Sequence, residues 1–269
     1  DNPNRTLTDP YEGQQLGEIW GYVVDGYFKT DEEARNYKVD QSFVNQMINA
    51  SALDNGLHAG DLKFVDLDGN NKIEQTTSAN DRKDMKVIGN SLPRYNYNFG
   101  ISADWYGIDF SVLFQGIGKQ NWYPGAETSM FWGPYSRPYA SFIPSDFMSQ
   151  VWSEENTNAY FPRPRGYVAL GSNRELAVVN TKYLQNLAYC RLKNLSIGYT
   201  LPDKWLSKIG FEKIRVYFSG ENLLTFTKLH SDYIDPEQAS ASNSWKTSKS
   251  DANIYPWAKT YSFGVDITF

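Results

Sequence analysis

The closing stretch of the chain, Lys259 to Phe269, alternates apolar and polar positions without a break. Tyr261, Phe263, Val265, Ile267 and Phe269 share one parity; Thr260, Ser262, Gly264, Asp266 and Thr268 share the other. A period of two sends the two sets to opposite faces of a strand. The same pattern recurs upstream. Tyr95, Tyr97, Phe99, Ile101, Ala103 and Trp105 oppose Arg94, Asn96, Asn98, Ser102 and Asp104. After a tight turn at Tyr106-Gly107, Ile108, Phe110, Val112 and Phe114 alternate with Asp109, Ser111 and Gln115. Leu195, Ile197, Tyr199 and Leu201 oppose Ser196, Gly198 and Thr200. Ile214, Val216, Phe218, Leu224 and Phe226 oppose Arg215, Tyr217, Ser219, Glu221, Thr225 and Thr227. A sixth candidate, Leu16 to Phe28, is rich in Trp20, Tyr22, Val23, Val24 and Tyr27 but alternates imperfectly.

The connections are lopsided. One end of the strands carries the Tyr106-Gly107 turn and the short Pro202 to Phe211 link. The other carries excursions over 119–182 and 228–256, the first rich in Trp, Tyr and Pro, the second in Ser, Asn and Lys. A loop as long as the first fits poorly inside a compact soluble domain; on a membrane barrel, long outer loops and short inner turns are ordinary. Thr30-Asp31-Glu32-Glu33 predicts a capped helix start, Ser42 to Ala52 a second helix, and Ser145 to Ser153 a turn or two of helix. The expected fold is all-β: an antiparallel transmembrane barrel segment of about six long strands. So few tilted strands close poorly around a wet interior, and the margins at Leu16 and Phe269 need partners. Further wall strands are therefore expected outside the chain.

Composition narrows the classes. The 269 residues carry a net charge of -5, which leaves no broad basic footprint for nucleic acid. No stretch approaches the roughly 18 apolar residues of a spanning helix, which says nothing against a barrel. Aromatic residues make up 16% of the chain, suited to interfacial girdles or sugar-stacking surfaces; Tyr27, Trp105, Tyr106, Tyr199 and Tyr261 are the expected belt. The one cysteine, Cys190, excludes an internal disulfide. His58 and His230 fall in loops without a second His or Cys nearby, and nothing marks a catalytic constellation, so the chain is not read as an enzyme.

Several stretches resemble SusC-like (SusC/RagA) TonB-dependent outer-membrane transporters. They are Gly17-Glu18-Ile19-Trp20-Gly21-Tyr22 with Asp25-Gly26-Tyr27-Phe28; Gly60 to Gly69; Val87-Ile88-Gly89-Asn90 with Pro93; and Phe161-Pro162-Arg163. The most specific is Tyr189-Cys190-Arg191-Leu192-Lys193-Asn194-Leu195-Ser196-Ile197-Gly198-Tyr199-Thr200-Leu201-Pro202, followed by Arg215-Val216-Tyr217, Gly220 to Thr227, Asp235-Pro236-Glu237 and the final strand. The resemblance implies that residues 1–269 are the C-terminal part of such a receptor, with plug domain, TonB box and earlier strands absent. It also implies a barrel of about 22 strands. The implied function is TonB-dependent import of oligosaccharides or peptides across the bacterial outer membrane. Implied partners are a SusD-like surface lipoprotein acting as a lid, the TonB complex through the missing N-terminal region, and the remaining strands of the same protein. The terminal strand, Tyr261 to Phe269, resembles the signal read by the barrel-assembly machinery.

Two constellations carry candidate chemistry. Asp66, Asp68, Asn70, Lys72 and Glu74 sit at the alternating ligand positions of a calcium loop, Lys72 through its carbonyl. Asn71 stands where the sharp turn wants Gly, and Thr77 where a bidentate Glu would sit; Asp81 or Asp84 can substitute. The alternative is a polar turn held by Asx hydrogen bonds. Trp122, Tyr123, Trp132, Tyr135 and Arg137 are candidates for contact with substrate or lid, against plain loop packing. Arg215, Glu221 and Asp266 fall on the lumen parity as a solvated wall network. A rival to the whole reading is a soluble, secreted carbohydrate-binding β-sandwich, in which the apolar stripes pack against one another.

Overall fold

The chain is described by a computed structural model covering residues 2–45, 56–136, 142–164, 166–171, 174–206, 210–242, 249–250 and 255–269. Its strands are β1 (Glu18–Tyr22), β2 (Val24–Tyr27), β3 (Leu62–Phe64), β4 (Met85–Asn90), β5 (Arg94–Trp105), β6 (Ile108–Lys119), β7 (Asn121–Pro124), β8 (Gln185–Asn186), β9 (Tyr189–Thr200), β10 (Lys213–Thr227), β11 (Lys249–Ser250) and β12 (Thr260–Thr268).

Five of them form one antiparallel sheet in the order β12-β10-β9-β6-β5. Its strands run from 9 to 15 residues, enough to cross a bilayer when tilted. Register fixes the faces. Val265 pairs with Val216, Val216 with Tyr199, Tyr199 with Ile108 and Ile108 with Trp105, so one apolar row crosses all five strands. The alternate row reads Asp266, Arg215, Thr200 along β12, β10 and β9. No strand or helix among the described residues covers the apolar row: Phe263 is 83% exposed and Phe269 81%. A sandwich would have buried it. The sheet is open, with β5 and β12 each paired on one side among the described residues.

At the short-turn end, Tyr106 (φ 47°) and Gly107 (φ 83°) both take left-handed backbone, as a two-residue type I′ hairpin requires. Trp105, Tyr106, Trp205 and Phe269 stand exposed there, as an interfacial belt would. Every long connection leaves from the opposite end.

The described parts of those connections, with the described residues of 2–93, form a body with its own aromatic core, in which Tyr22, Phe64, Trp122, Phe131, Tyr135, Phe147, Phe161 and Tyr183 are among the buried residues. Short pairings brace it: β1 with β4, β2 with β3, β7 with β8 and β11. Here the expected sixth wall strand is corrected. Leu16 to Phe28 breaks into β1 and β2 and belongs to the loop body, because both its parities find apolar partners there. Tyr27 is likewise no belt residue: it is buried, and its hydroxyl hydrogen-bonds the Tyr183 hydroxyl at 2.9 Å. The Thr30 cap forms, with Oγ1 accepting from the Glu33 N–H at 3.1 Å and helix over Asp31–Arg35. Within the second expected helix, residues 42–44 are turn, and 46–55 lie outside the described residues. The stretch from Ser145 to Ser153 holds one short 3-10 turn, Phe147–Gln150.

Candidate functional site

On the lumen-parity face, Arg215 joins charges across strands, and Glu221, expected in the same network, is exposed outside it. Arg215 of β10 donates to Asp109 of β6 through Nε (2.8 Å) and Nη2 (2.6 Å), and to Asp266 of β12 through Nη1 (3.3 Å). The Arg215–Asp109 bridge passes over β9. It can do so because Gly198 sits beneath it: a Cβ there would lie 2.5 Å from Asp109 Oδ1 and 2.6 Å from the guanidinium. Tyr217 lies across Gly264 in the same way and stacks under Arg215, whose Cζ is 4.7 Å from the ring centroid. Glycines in the alternating pattern are therefore slots for neighbouring long side chains.

The acidic loop after β3 folds tightly. Asp66 accepts from the N–H groups of Gly69 and Asn71, both at 2.7 Å, with Asn71 left-handed at φ 62°. Asp68 accepts from the Asn70 N–H at 3.0 Å, Asn70 Nδ2 donates to Glu74 at 3.2 Å, and Glu74 also pairs with Lys72 and Lys83. The residue that completes the cluster is Asp84. One carboxylate oxygen from each of Asp66, Asp68 and Asp84 lies within 4.8 Å of the others. Asp84 is buried and accepts from the N–H groups of Leu67 (2.8 Å) and Glu74 (2.7 Å). Burial raises its pKa above the ordinary value against those two hydrogen bonds, and the Asp68 and Asp66 charges push the same way. Burial also pushes Asp66 up, but the Asn71 and Gly69 N–H groups outweigh it and hold that carboxyl below its ordinary value. The signs oppose: stability tied to Asp84 is greatest at acid pH and falls as pH rises through its raised folded pKa, while stability tied to Asp66 is lost as pH falls. Three such carboxylates are a chemically suitable donor set for a hard divalent cation, and most of the loop's hydrogen bonds are also those of an Asx turn. Asp84→Ala removes the acceptor of two backbone N–H groups. We expect a loss of about 2–4 kcal/mol in local stability, read as faster hydrogen exchange at Leu67 and Glu74.

The aromatic candidates are placed differently from the expectation. Trp122, Tyr123 and Trp132 are 0% exposed and Tyr135 1%. Tyr123 donates to the Leu176 carbonyl at 2.7 Å, Tyr135 to that of Pro162 at 2.6 Å, and Trp132 Nε1 to that of Gly125 at 2.9 Å. Their ring faces are used inside the loop body, so they cannot stack on a sugar or touch a lid in this arrangement. Arg137 lies outside the described residues. Tyr261, Phe263, Val265, Ile267 and Phe269 do share one open face of β12. Sequence reasoning missed the partners of Arg191, whose side chain lies buried against Asp235 and Glu237.

No protein-family model matches the chain. In sequence it is similar to TonB-dependent receptor P3 of Formosa agariphila, 29% identical over 264 residues that cover 96% of this chain and 22% of that receptor. It is 26% identical over 283 residues to TonB-dependent receptor P39 of the same organism, covering 96% and 25%. The chain thus spans a quarter or less of the length of these curated relatives. In structure it resembles the RagAB peptide importer in its open-open state, with a TM-score of 0.56, 19% identity, and coverage of 98% of this chain and 25% of that one. The RagAB peptide transporter gives 0.56 at 18% identity, covering 96% and 24%. At such identities the superpositions establish the fold.

Proposed function

We infer that this chain, related in sequence to TonB-dependent receptors and sharing the SusC-like barrel fold of the bacterial outer membrane, supplies wall strands and outer loops to an active importer. The observation that carries this is the uncovered apolar row across five strands, backed by a polar face on which Arg215 bridges Asp109 and Asp266. Acyl chains suit the first face and water the second. The proposed cargo is an oligosaccharide or a peptide. The RagAB proteins are named as peptide transporters, and the amide-rich lumen parity of β5 (Asn96, Asn98) suits either cargo. A SusD-like lipoprotein would meet the loop body, which gathers all the long connections at one end. TonB would act on parts of the receptor beyond this chain. The test is uptake by cells carrying the full-length receptor: it should stop when TonB is deleted. Uptake that continues without TonB would sink the proposal.

The final strand is proposed as the signal for barrel assembly. Phe269→Asp puts a carboxylate beside the apolar row, where Phe269 now lies 5.2 Å from the Phe211 ring. We expect outer-membrane insertion to fall up to about fivefold, on the scale of about 1 kcal/mol or less for an acidic residue near the interface, measured as heat-modifiable receptor in membranes. Wild-type levels would contradict the assignment.

Calcium at Asp66, Asp68 and Asp84, with Asn70, Glu74 and the Lys72 carbonyl as further oxygens, is proposed as a structural cofactor that would relieve the mutual repulsion of the three carboxylates. Calorimetric titration of the full-length receptor with Ca2+ should show a binding event that Asp68→Ala removes. An identical heat signal in both proteins would exclude this site.

A further inference from the structure

Arg191 projects from β9 on the lumen-parity face and is 2% exposed. All three of its nitrogens are engaged. Nη2 donates to both oxygens of Asp235 at 2.7 Å, Nη1 to Glu237 at 2.8 Å, and Nε to Thr225 Oγ1 on β10 at 2.9 Å. Lys193 adds contacts to Glu237 at 2.9 and 3.1 Å, and its Nζ is 5.3 Å from the Trp257 ring centroid. Two cations thus meet two anions, and the charge is balanced.

The placement of the acids gives the cluster its meaning. Asp235 lies eight residues beyond the end of β10, where the connection to β12 sets out. Its Oδ2 also accepts from the Trp257 N–H at 3.2 Å, three residues before β12 begins. One carboxylate therefore gathers the outgoing limb, the returning limb and the wall. A second tie lies beside it. The β10 bulge leaves Asn222 left-handed at φ 53°, and its Nδ2 donates to the Ala258 carbonyl at 3.3 Å on the same returning limb. A third holds the outgoing limb to the loop body: His230 stacks on Tyr160 at 3.5 Å, and Ser231 Oγ donates to the Met130 carbonyl at 2.8 Å.

We propose that Arg191 is the fastening of a strap: it draws together the two described limbs of the connection between β10 and β12, 228–242 and 255–259, and pins them to the lumen side of the wall. Arginine suits the post because its planar fork serves several acceptors at once with a fixed charge, which a lysine ammonium cannot match. Burial makes the fastening stringent, since removing Arg191 leaves Asp235 buried without its counter-charge. A strap tied this way holds its limbs rigidly over the lumen face and opens as a unit when the cluster is broken. The assignment depends on the barrel reading only for the word lumen; the fastening itself is tested without any transport measurement.

Hydrogen exchange on the full-length receptor in detergent is the experiment. In Arg191→Met, peptides covering 229–242 and 255–259 should exchange roughly tenfold faster or more, while β9, β10 and β12 keep their protection. Arg191→Lys should recover only part of the slow exchange. Asp235→Asn, which replaces no wall residue, should loosen both limbs together, because that one side chain joins them to each other and to Arg191. Where Arg191→Met fails to insert, Asp235→Asn decides. Wild-type exchange in both limbs of Asp235→Asn, or loosening of one limb alone, overturns the proposal.

Discussion

Val265→Arg is expected to destabilise the inserted barrel by roughly 2–4 kcal/mol, the cost of a cation on the lipid face near the bilayer midplane. Val265 lies near the middle of β12, directly opposite Val216, and stands 58% exposed with no protein over it among the described residues. The neighbouring residue makes the control. Asp266 shares the same strand and solvent-like exposure but has the other parity, and among the described residues it pairs with Arg215 at 3.3 Å. Asp266→Asn should cost no more than about 1 kcal/mol, as for other exposed ion pairs. Both values come from reversible urea unfolding of the full-length receptor in lipid vesicles. The contrast between the adjacent positions is what matters. Equal, small effects would mean that the apolar row faces water or another protein surface, and the membrane assignment of this sheet would fail.

That contrast also explains which parts of the molecule could be read from the sequence. A wall strand meets two different solvents, so lipid and water write themselves into alternate positions, and Tyr95 to Trp105 or Tyr261 to Phe269 declare both strand and orientation. The loop body meets no such pair of solvents. Leu16 to Phe28 carries strand-forming residues, but its neighbours come from far along the chain: Gly21 lies against the Val179 carbonyl, where a Cβ would approach to 2.7 Å, and Tyr27 meets Tyr183. Nothing local tells such a segment from a wall strand except its broken alternation, which was the available signal. The four buried aromatics pose the same problem. Composition reveals a ring-rich excursion without saying whether the rings face in or out. The acidic loop was legible in its turn chemistry and its spacing, and Asp84 was within reach as a substitute for the missing ligand. Arg191 was visible only as part of a motif; its acids lie 44 and 46 residues away, beyond any local pattern.

The separateness of the loop core sets up the remaining prediction, Trp132→Ala. Trp132 sits at the centre of the aromatic cluster, edge-on to Phe131 at 4.8 Å and Tyr183 at 5.2 Å, with Tyr123 and Phe161 each 6.3 Å away. Truncating a fully buried Trp costs about 3–5 kcal/mol through lost transfer energy and the cavity left behind, and here the Gly125 carbonyl also loses its indole donor. The main-chain hydrogen bonds around this cluster are those of turns and short pairings, with strands of two to six residues, so no long ladder backs the side-chain packing. The wall has the opposite construction, with long ladders and an apolar face that lipid solvates. The loss should therefore stay local. Limited proteolysis of the full-length receptor should cut within 120–187 much faster in Trp132→Ala, while heat-modifiable migration and exchange protection of β6, β9, β10 and β12 stay as in the wild type. Were the wall strands to lose protection in step with the loops, body and barrel would be one cooperative unit, and the loop core would be no independent store of stability.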